Sequence, residues 1–199
     1  RPIGEWMGKI KHDTNITKIA LSQSIDGQHM RRLAFVDEKK ELHISPVVPI
    51  SGLKKQFAVQ RMGAQIDSIA WNDKSDILTA ITDSRMVTWL HPNSLYVDKD
   101  LFPLSTETKD GSAYGKCSEI LSFNGSKITV IVDNGALVTS HISQYPILIH
   151  DFVSTNRWTE AVQMCRFVKK PQLWATLASL SIQHNELETA KVAFSAIKK

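Results

Sequence analysis

KITVIVDNGALVTSHISQYPILIHDFVS, residues 127–154, contains a change of hydrophobic period near Tyr145. Before Tyr145, short runs rich in Ile, Val and Thr are separated by turn residues, which is typical of β-strands. After it, apolar residues recur every three to four positions, as in helices that bury one face. The sequence therefore predicts a mainly β fold followed by α-helices. We expect residues 1–144 to hold the C-terminal blades, about three, of a partial WD-type β-propeller, and residues 145–199 to begin an α-solenoid.

The β-rich part repeats a unit of three predicted strands. The first strands start at Ile16, Ile66 and Glu119, and propeller blades recur at about this spacing when their outer loops are long. The turns between strands carry Asn, Asp, Gly or Lys, and an Asn-Gly pair supplies the positive φ of a tight hairpin. The predicted strands are residues 16–24, 32–37 and 41–45; 66–72, 77–82 and 86–91; and 119–123, 127–132 and 136–143.

A fourth strand in each blade is less evident. Residues 56–62 are a candidate in the first blade, and residues 95–97 are a candidate short outer strand in the second. Residues 98–116 are polar and contain Gly and Ser, which predicts an exposed loop. Residues 1–8 are predicted to be the tail of an earlier blade. Because closed propellers need roughly four to eight blades, we interpret the chain as an excerpt of a longer protein.

The helical part carries candidate start signals. Pro146 is predicted to open the first helix and Pro171 the third, because proline is tolerated in a first helical turn. Asn156 is expected to cap the second helix. Asn185, with Glu188 three residues later, resembles a capping box for the fourth. Helix starts that lie about 14 to 15 residues apart predict antiparallel, tetratricopeptide-like helix pairs.

The composition excludes several classes of protein. The net charge of +4 is modest, and no basic stripe is interleaved with aromatic residues, which argues against a nucleic-acid partner. No run of eighteen apolar residues occurs and the N-terminus is not a signal peptide, so the sequence predicts no membrane insertion. Cys117 and Cys165 form no motif, which favours free thiols in a reducing compartment over a disulfide.

Catalytic and metal-binding motifs find little support. Residues 111–117 superficially resemble a phosphate-binding loop, but the glycine spacing is too short and Cys117 stands where Ser or Thr must contact Mg²⁺. The seven histidines do not fall in metal-ligand spacing with cysteine or with one another. His150 and Asp151 are adjacent on a predicted helix, so their side chains diverge by about 100°. We therefore predict no catalytic residue, no cofactor, no metal and no enzyme activity.

Two segments, residues 66–102 and 141–197, carry a more specific signal. Their distinctive motifs are AWND (70–73), YVDKD (96–100), ISQYP (142–146) and CRFVK (165–169), together with the Trp174-Ala175 helix. In these motifs the chain resembles the 80-kDa WD-repeat subunits of intraflagellar transport complex B, at the second propeller and its junction with the solenoid. Residues 51–56 and 105–118 depart from the pattern of that family.

The resemblance implies a structural role in the trains that kinesin-2 and dynein-2 carry along the axoneme. The partners it implies are the 172-kDa subunit and the coiled-coil and calponin-homology subunits of complex B, and self-association of the solenoid stays open. The implied location is the cilium or flagellum, the basal body and the cytoplasm. Another propeller–solenoid scaffold of ciliary transport or of a vesicle coat is the alternative within this class. A propeller enzyme is the alternative from a different class.

The candidate interaction residues are Arg166, Lys169 and Lys170. They cluster at one end of the second predicted helix, opposite its apolar stripe, where they are free to contact an acidic partner. Their alternative role is a favourable interaction with the helix C-terminus, worth about 0.3–1 kcal/mol each. Trp158 and Trp174, in contrast, lie within apolar stripes, and we expect both to be buried between helices.

Overall fold

The computed structural model describes residues 9–23, 31–48, 58–83, 85–115 and 118–197. In these ranges the strands come first and the longer helices last. The strands are β1 (Ile16–Leu21), β2 (Arg32–Asp37), β3 (Leu42–Pro46), β4 (Gln60–Gly63), β5 (Ile66–Trp71), β6 (Leu78–Thr82), β7 (Arg85–Trp89), β8 (Thr106–Asp110), β9 (Glu119–Asn124), β10 (Lys127–Ile131) and β11 (Leu137–His141). The helices are α1 (Ser94–Val97), α2 (Leu101–Leu104), α3 (Tyr145–Ser154), α4 (Trp158–Val168), α5 (Pro171–Gln183) and α6 (Leu187–Ile197).

The strands form three antiparallel sheets in which neighbours in sequence are neighbours in space. Strands β1–β4 make the first sheet, β5–β8 the second and β9–β11 the third. Between Tyr145 and Ile197 the chain is helical apart from short connections, and before it the described helices are single turns. The predicted fold class, a partial β-propeller followed by α-helices, is confirmed.

The sheets pack side by side through their first strands, as blades do around a propeller axis. The indole N–H of Trp71 on β5 donates a 3.0 Å hydrogen bond to the carbonyl of Ala20 on β1. The amide of the buried Asn72 donates a 2.8 Å hydrogen bond to the carbonyl of Gly125, in the β9–β10 turn. These bonds fix the orientation of each blade relative to the next.

Three hydrophobic clusters hold the fold together. One lies between the first and second sheets, and it includes Val36, Ile44, Ile69, Trp71 and Trp89. The next lies between the second and third sheets, and it includes Ile81, Met86, Phe123, Ile128 and Val130. The last joins the second blade to the helices, and it includes Leu90, Leu101, Ile149, Cys165, Leu173, Trp174 and Leu177. Since Leu90, which directly follows β7, and Leu101 of α2 belong to this cluster, the helices are packed onto the second blade.

The fourth strands differ in part from the prediction. In the first blade the described end of residues 56–62 forms β4, which pairs with β3. In the second blade, residues 95–97 are not a strand but belong to α1, where the Tyr96 hydroxyl lies 2.8 Å from the carbonyl oxygen of Ile44 in the first sheet. This tertiary contact outweighs the β propensity of Leu-Tyr-Val. Residues 1–8 lie outside the described residues.

The fourth strand of the second blade lies inside the segment that was predicted to be a loop. Strand β8 pairs with β7 from Thr106 opposite Trp89 to Asp110 opposite Arg85. Its sequence, TETKD, is polar on both faces because β8 is an outer strand. Polar composition therefore gave the wrong prediction for residues 98–116, since an edge strand needs backbone pairing but no apolar face.

Asn156 and Asn185 end helices and do not cap the next ones, which is a correction to the sequence analysis. Both have positive φ, 55° and 61°. After Asn156, the Arg157 N–H donates a hydrogen bond to the Phe152 carbonyl. After Asn185, the Glu186 N–H donates in the same way to the Ser181 carbonyl. This six-residue closure around a left-handed residue is the Schellman motif, which asparagine tolerates. Proline does open α3 and α5, as predicted.

None of the helices formed by the described residues is long and apolar enough to cross a membrane.

Candidate interaction surface

The three predicted cations lie around the turn between α4 and α5. Arg166 is in the last turn of α4, Lys169 follows the helix with a left-handed φ of 58°, and Lys170 precedes α5. Lys169 and Lys170 are therefore outside the last turn in which they were expected, because the chain leaves the helix at Val168. All three side chains are exposed. Within the described part of the chain none of them forms an ion pair.

An open groove of about 810 Å³ lies beside this turn. Arg166 and Lys169 contribute to one side, and Lys191 of α6 contributes a third cation. Lys191 also forms a 2.7 Å ion pair with the exposed Glu188. Lys170 is not part of the lining. The remaining lining residues, mostly apolar, are Pro171, Trp174, Val192, Ser195, Ala196 and Ile197.

Phe167 is a surface residue that the sequence analysis did not assign to the site. It lies on α4 next to Arg166 and is 80% exposed. A signal for this was available, because Phe167 falls outside the apolar positions Cys165 and Val168 that face the core. Aromatic residues and arginine are enriched at protein interfaces, so an exposed phenylalanine next to Arg166 suits an interface anchor.

The two tryptophans of the helical part differ in burial. Trp174 is 7% exposed and belongs to the cluster between the second sheet and the helices, so its predicted burial is confirmed. Trp158 is only partly buried, and its ring makes an edge contact with His184 at 5.8 Å between centroids. The face of α4 assigned from the sequence is therefore correct, but the N-terminal end of this face, at Trp158, is open to solvent.

Two buried histidines join the second blade to the helices. His150 of α3 donates a 2.8 Å hydrogen bond to the carbonyl of Leu90, and His91 contacts Gln183 of α5 at 3.2 Å. Burial holds the pKa of His91 well below 6.5, and the neighbouring His150 lowers it further. Both side chains hold structural elements together at this junction.

The fold also brings together His12, Asp37 and His43, which the local spacing of the sequence did not reveal. Burial alone would raise the pKa of Asp37, but hydrogen bonds, chiefly from the Glu41 N–H and the Thr14 hydroxyl, together hold that pKa below its usual value. Burial and the nearby His12 lower the pKa of His43. The arrangement keeps an ionised carboxylate beside two imidazoles, whose ring centroids are 4.6 Å apart.

The glycine-containing segment 111–117 and the two cysteines were also singled out in the sequence. The described part of residues 111–117 lies between β8 and β9 and contains a short 3₁₀ helix, Ser112–Tyr114, with Tyr114 buried. Cys165 is a buried free thiol whose pKa burial raises to about 12, so it stays protonated at neutral pH. Cys117 lies outside the described residues.

Comparison with known proteins gives a consistent result. A family model described as the IFT80 second beta-propeller matches residues 1–145. The intraflagellar transport protein 80 homolog of Mus musculus is 36% identical over 198 residues, which is 99% of this chain and 25% of that protein. The homolog of Rattus norvegicus is 35% identical over the same proportions. The chain thus spans about a quarter of the length of these curated relatives.

Proposed function

The chain belongs to the intraflagellar transport protein 80 family, and we propose that it serves as a non-enzymatic structural subunit of intraflagellar transport complex B. In this role it scaffolds the trains that move along the cilium. Its binding partners are the other subunits of complex B. We infer that the propeller domain ends at residue 144 and that residues 145–199 begin the solenoid.

The observation that carries this proposal is the continuous packing of the helices on the second blade. Leu90 and Leu101 of the blade share one cluster with α3–α6, and two buried histidines bridge the same junction. A rigid join of two binding platforms suits a protein that holds partners at fixed positions. This packing supports a scaffold.

We propose that the surface formed by Arg166, Phe167, Lys169 and Lys170 binds an acidic, amphipathic segment of another complex B subunit. Three cations without an ion pair to any described residue offer charge complementarity, which steers association and selects partners. Phe167 offers an apolar anchor whose burial by a partner is favourable, at about 25 cal/mol per Å² of apolar surface. We name these four residues the α4–α5 surface.

The test reverses Arg166, Lys169 and Lys170 to Glu in the full-length protein, expressed with an affinity tag in a ciliated cell that lacks its own copy. We expect the triple variant to fold but to recover at least tenfold less of the other complex B subunits, and to restore fewer cilia. Phe167→Ala should weaken recovery without a change of charge. Because Phe167 is exposed, this substitution should leave the melting temperature unchanged.

The matched control reverses Lys74, Lys99 and Lys127, which are also exposed and carry the same total charge. The control should recover the complex at the wild-type level. Wild-type recovery of complex B subunits with the variant that reverses Arg166, Lys169 and Lys170 would refute the α4–α5 surface as a binding site. It would leave the proposed scaffold role in place. A full-length protein that never co-purifies with complex B subunits would refute the scaffold role itself.

A further inference from the structure

We propose that a groove between α4 and α6 binds an acidic, amphipathic α-helix of another complex B subunit. This inference rests on the proposed scaffold function, and it gives the partner of the α4–α5 surface a secondary structure and a position. The groove consists of the space of about 810 Å³ beside the α4–α5 turn and a second space of about 320 Å³ toward the helix N-termini. Arg166 and Val192 line both spaces, so the two are continuous. We name them together the α4–α6 groove.

The walls of the groove are two helices that run in the same direction. The smaller space is lined by Thr159 of α4 and Glu188 of α6, which are near the N-terminal ends of their helices. The larger space is lined by Lys169, which follows α4, and by Ser195, near the C-terminal end of α6. The α4 wall spans about ten residues, or about 15 Å at about 1.5 Å per residue. The groove is therefore long enough to seat roughly three turns of a further helix.

A helix suits these walls better than an extended strand does. The backbone N–H and C=O groups within a helix are bonded to one another, so the walls offer few backbone partners to an incoming chain. An extended segment buried there would leave its own backbone groups unpaired, which is costly. A helix pairs these groups internally, and its side chains at positions i, i+3, i+4 and i+7 make the contacts with a groove.

Apolar side chains occur along the whole length of the groove. Trp158 and Val162 are partly buried at its smaller end, and Ala196 and Ile197 are partly buried at its larger end. Val192, between them, is 36% exposed. A partner that covers these side chains removes apolar surface from water, which is favourable. A continuous apolar strip of this kind is complementary to the apolar face of an amphipathic helix.

The charges along the groove indicate the chemistry of its partner. Arg166, Lys169 and Lys191 line the larger end, and among the described residues no acidic side chain lines that end with them. Glu188 lines the smaller end and forms a 2.7 Å ion pair with Lys191. Because both side chains of this pair are exposed, the pair is weak, and Lys191 can exchange it for a carboxylate of the partner. The groove therefore selects a helix whose acidic residues are concentrated in the half that lies at the α4–α5 turn.

A pair of variants tests the groove separately from the α4–α5 surface. Val192→Glu places a carboxylate in the middle of the groove and leaves all four residues of the α4–α5 surface unchanged. The matched control is Leu187→Glu, which introduces the same side chain on the same helix, at a residue that is 64% exposed and outside the groove lining. Each variant is made in the full-length, tagged protein and expressed in a ciliated cell that lacks its own copy. Recovery of the other complex B subunits and the melting temperature are measured.

We expect Val192→Glu to reduce recovery of the other subunits at least tenfold, and Leu187→Glu to recover them at the wild-type level. Both variants should keep the wild-type melting temperature, because both positions are exposed. Wild-type recovery with Val192→Glu would overturn the groove. If reversal of Arg166, Lys169 and Lys170 still reduces recovery in that case, the α4–α5 surface stands without the groove. If neither variant reduces recovery, the groove and the α4–α5 surface both fail.

Photo-crosslinking in the same cells identifies what occupies the groove, and it decides if Val192→Glu lowers the melting temperature. A benzophenone amino acid replaces Gln163 on the α4 wall or Ser195 on the α6 wall of the full-length protein, and mass spectrometry locates the crosslinked residues. We expect both positions to capture one acidic segment of another complex B subunit, at residues with helical spacing. Glu160, which is exposed on α4 but outside the lining, should not capture it. Capture of a second copy, of another segment of the same chain or of a segment without helical spacing overturns the proposal, as does the absence of any crosslink.

Discussion

Truncation of Trp174 should loosen the helical array much more than truncation of Trp158. Trp174 is 7% exposed and lies in the cluster shared by the second blade and the helices. A tryptophan buries about 150–250 Å², which at about 25 cal/mol per Å² corresponds to roughly 4–6 kcal/mol of burial. Since alanine retains part of that burial and the site relaxes, we expect Trp174→Ala to cost about 3–5 kcal/mol.

Trp158 provides the matched comparison because it is the same residue type at the open end of the same helical cluster. It is only partly buried, and water can enter the space that its ring leaves. The cavity penalty is then small, and we expect Trp158→Ala to cost about 1–2 kcal/mol. The difference between the two variants depends on burial and not on chemistry, so it tests where each ring lies.

Hydrogen exchange followed by mass spectrometry measures this locally in the full-length protein. Each 1.4 kcal/mol changes an equilibrium about tenfold. Trp174→Ala should therefore speed exchange of the amides in α5 and α6 by roughly two to four orders of magnitude, and Trp158→Ala by roughly five- to thirtyfold. Exchange in β9–β11 should be unaffected. Equal acceleration by both variants, or unchanged protection in Trp174→Ala, would refute the assignment of Trp174 as the buried anchor.

Two further predictions concern the blades and the junction. Asn72→Ala should lower the free energy of unfolding, measured by urea denaturation, by about 2–4 kcal/mol. The substitution leaves the Gly125 carbonyl and the Ser75 N–H without the hydrogen bonds that the Asn72 side chain makes to them. A loss below about 0.5 kcal/mol would contradict this prediction. The melting temperature should fall as the pH decreases below about 6.5, because burial depresses the pKa of His91 and the unfolded chain therefore binds the proton more tightly. The stability that neutral His91 contributes is complete above that pH. His91→Gln should make the melting temperature depend less steeply on pH.

The sequence predicted those parts of the fold whose signals are local. Strands β2, β6 and β10 are rich in apolar and β-branched residues. Pro146 and Pro171 open helices because proline fits a first turn. The outer strand β8 and the left-handed asparagines were predicted wrongly. Strand β8 is defined by hydrogen bonds to β7, which lies seventeen or more residues earlier in sequence. Asparagine suits both a helix start and a left-handed helix end, and only the backbone decides between them.

The candidate sites divide in the same way. The exposure of Arg166 followed from helical periodicity, because charged side chains opposite an apolar stripe face solvent. Lys169 and Lys170 are exposed because they lie in the turn between α4 and α5. The convergence of His12, Asp37 and His43 depends on how a segment before β1 lies against the β2–β3 hairpin. No spacing between neighbouring residues encodes that contact, so local sequence patterns could not predict it.

The junction determines what the α4–α5 surface can do. Leu90 follows the last residue of β7 and shares a cluster with α5, and the His150 side chain closes on the Leu90 carbonyl. A polar contact buried with its partner is strongly directional, so it fixes the angle between blade and helices as well as their distance. Because α4 and α5 pack within the same cluster, the cations at their turn have a defined position relative to the propeller. A partner bound there would therefore be held in a fixed orientation, which a flexible linker between propeller and solenoid would not provide.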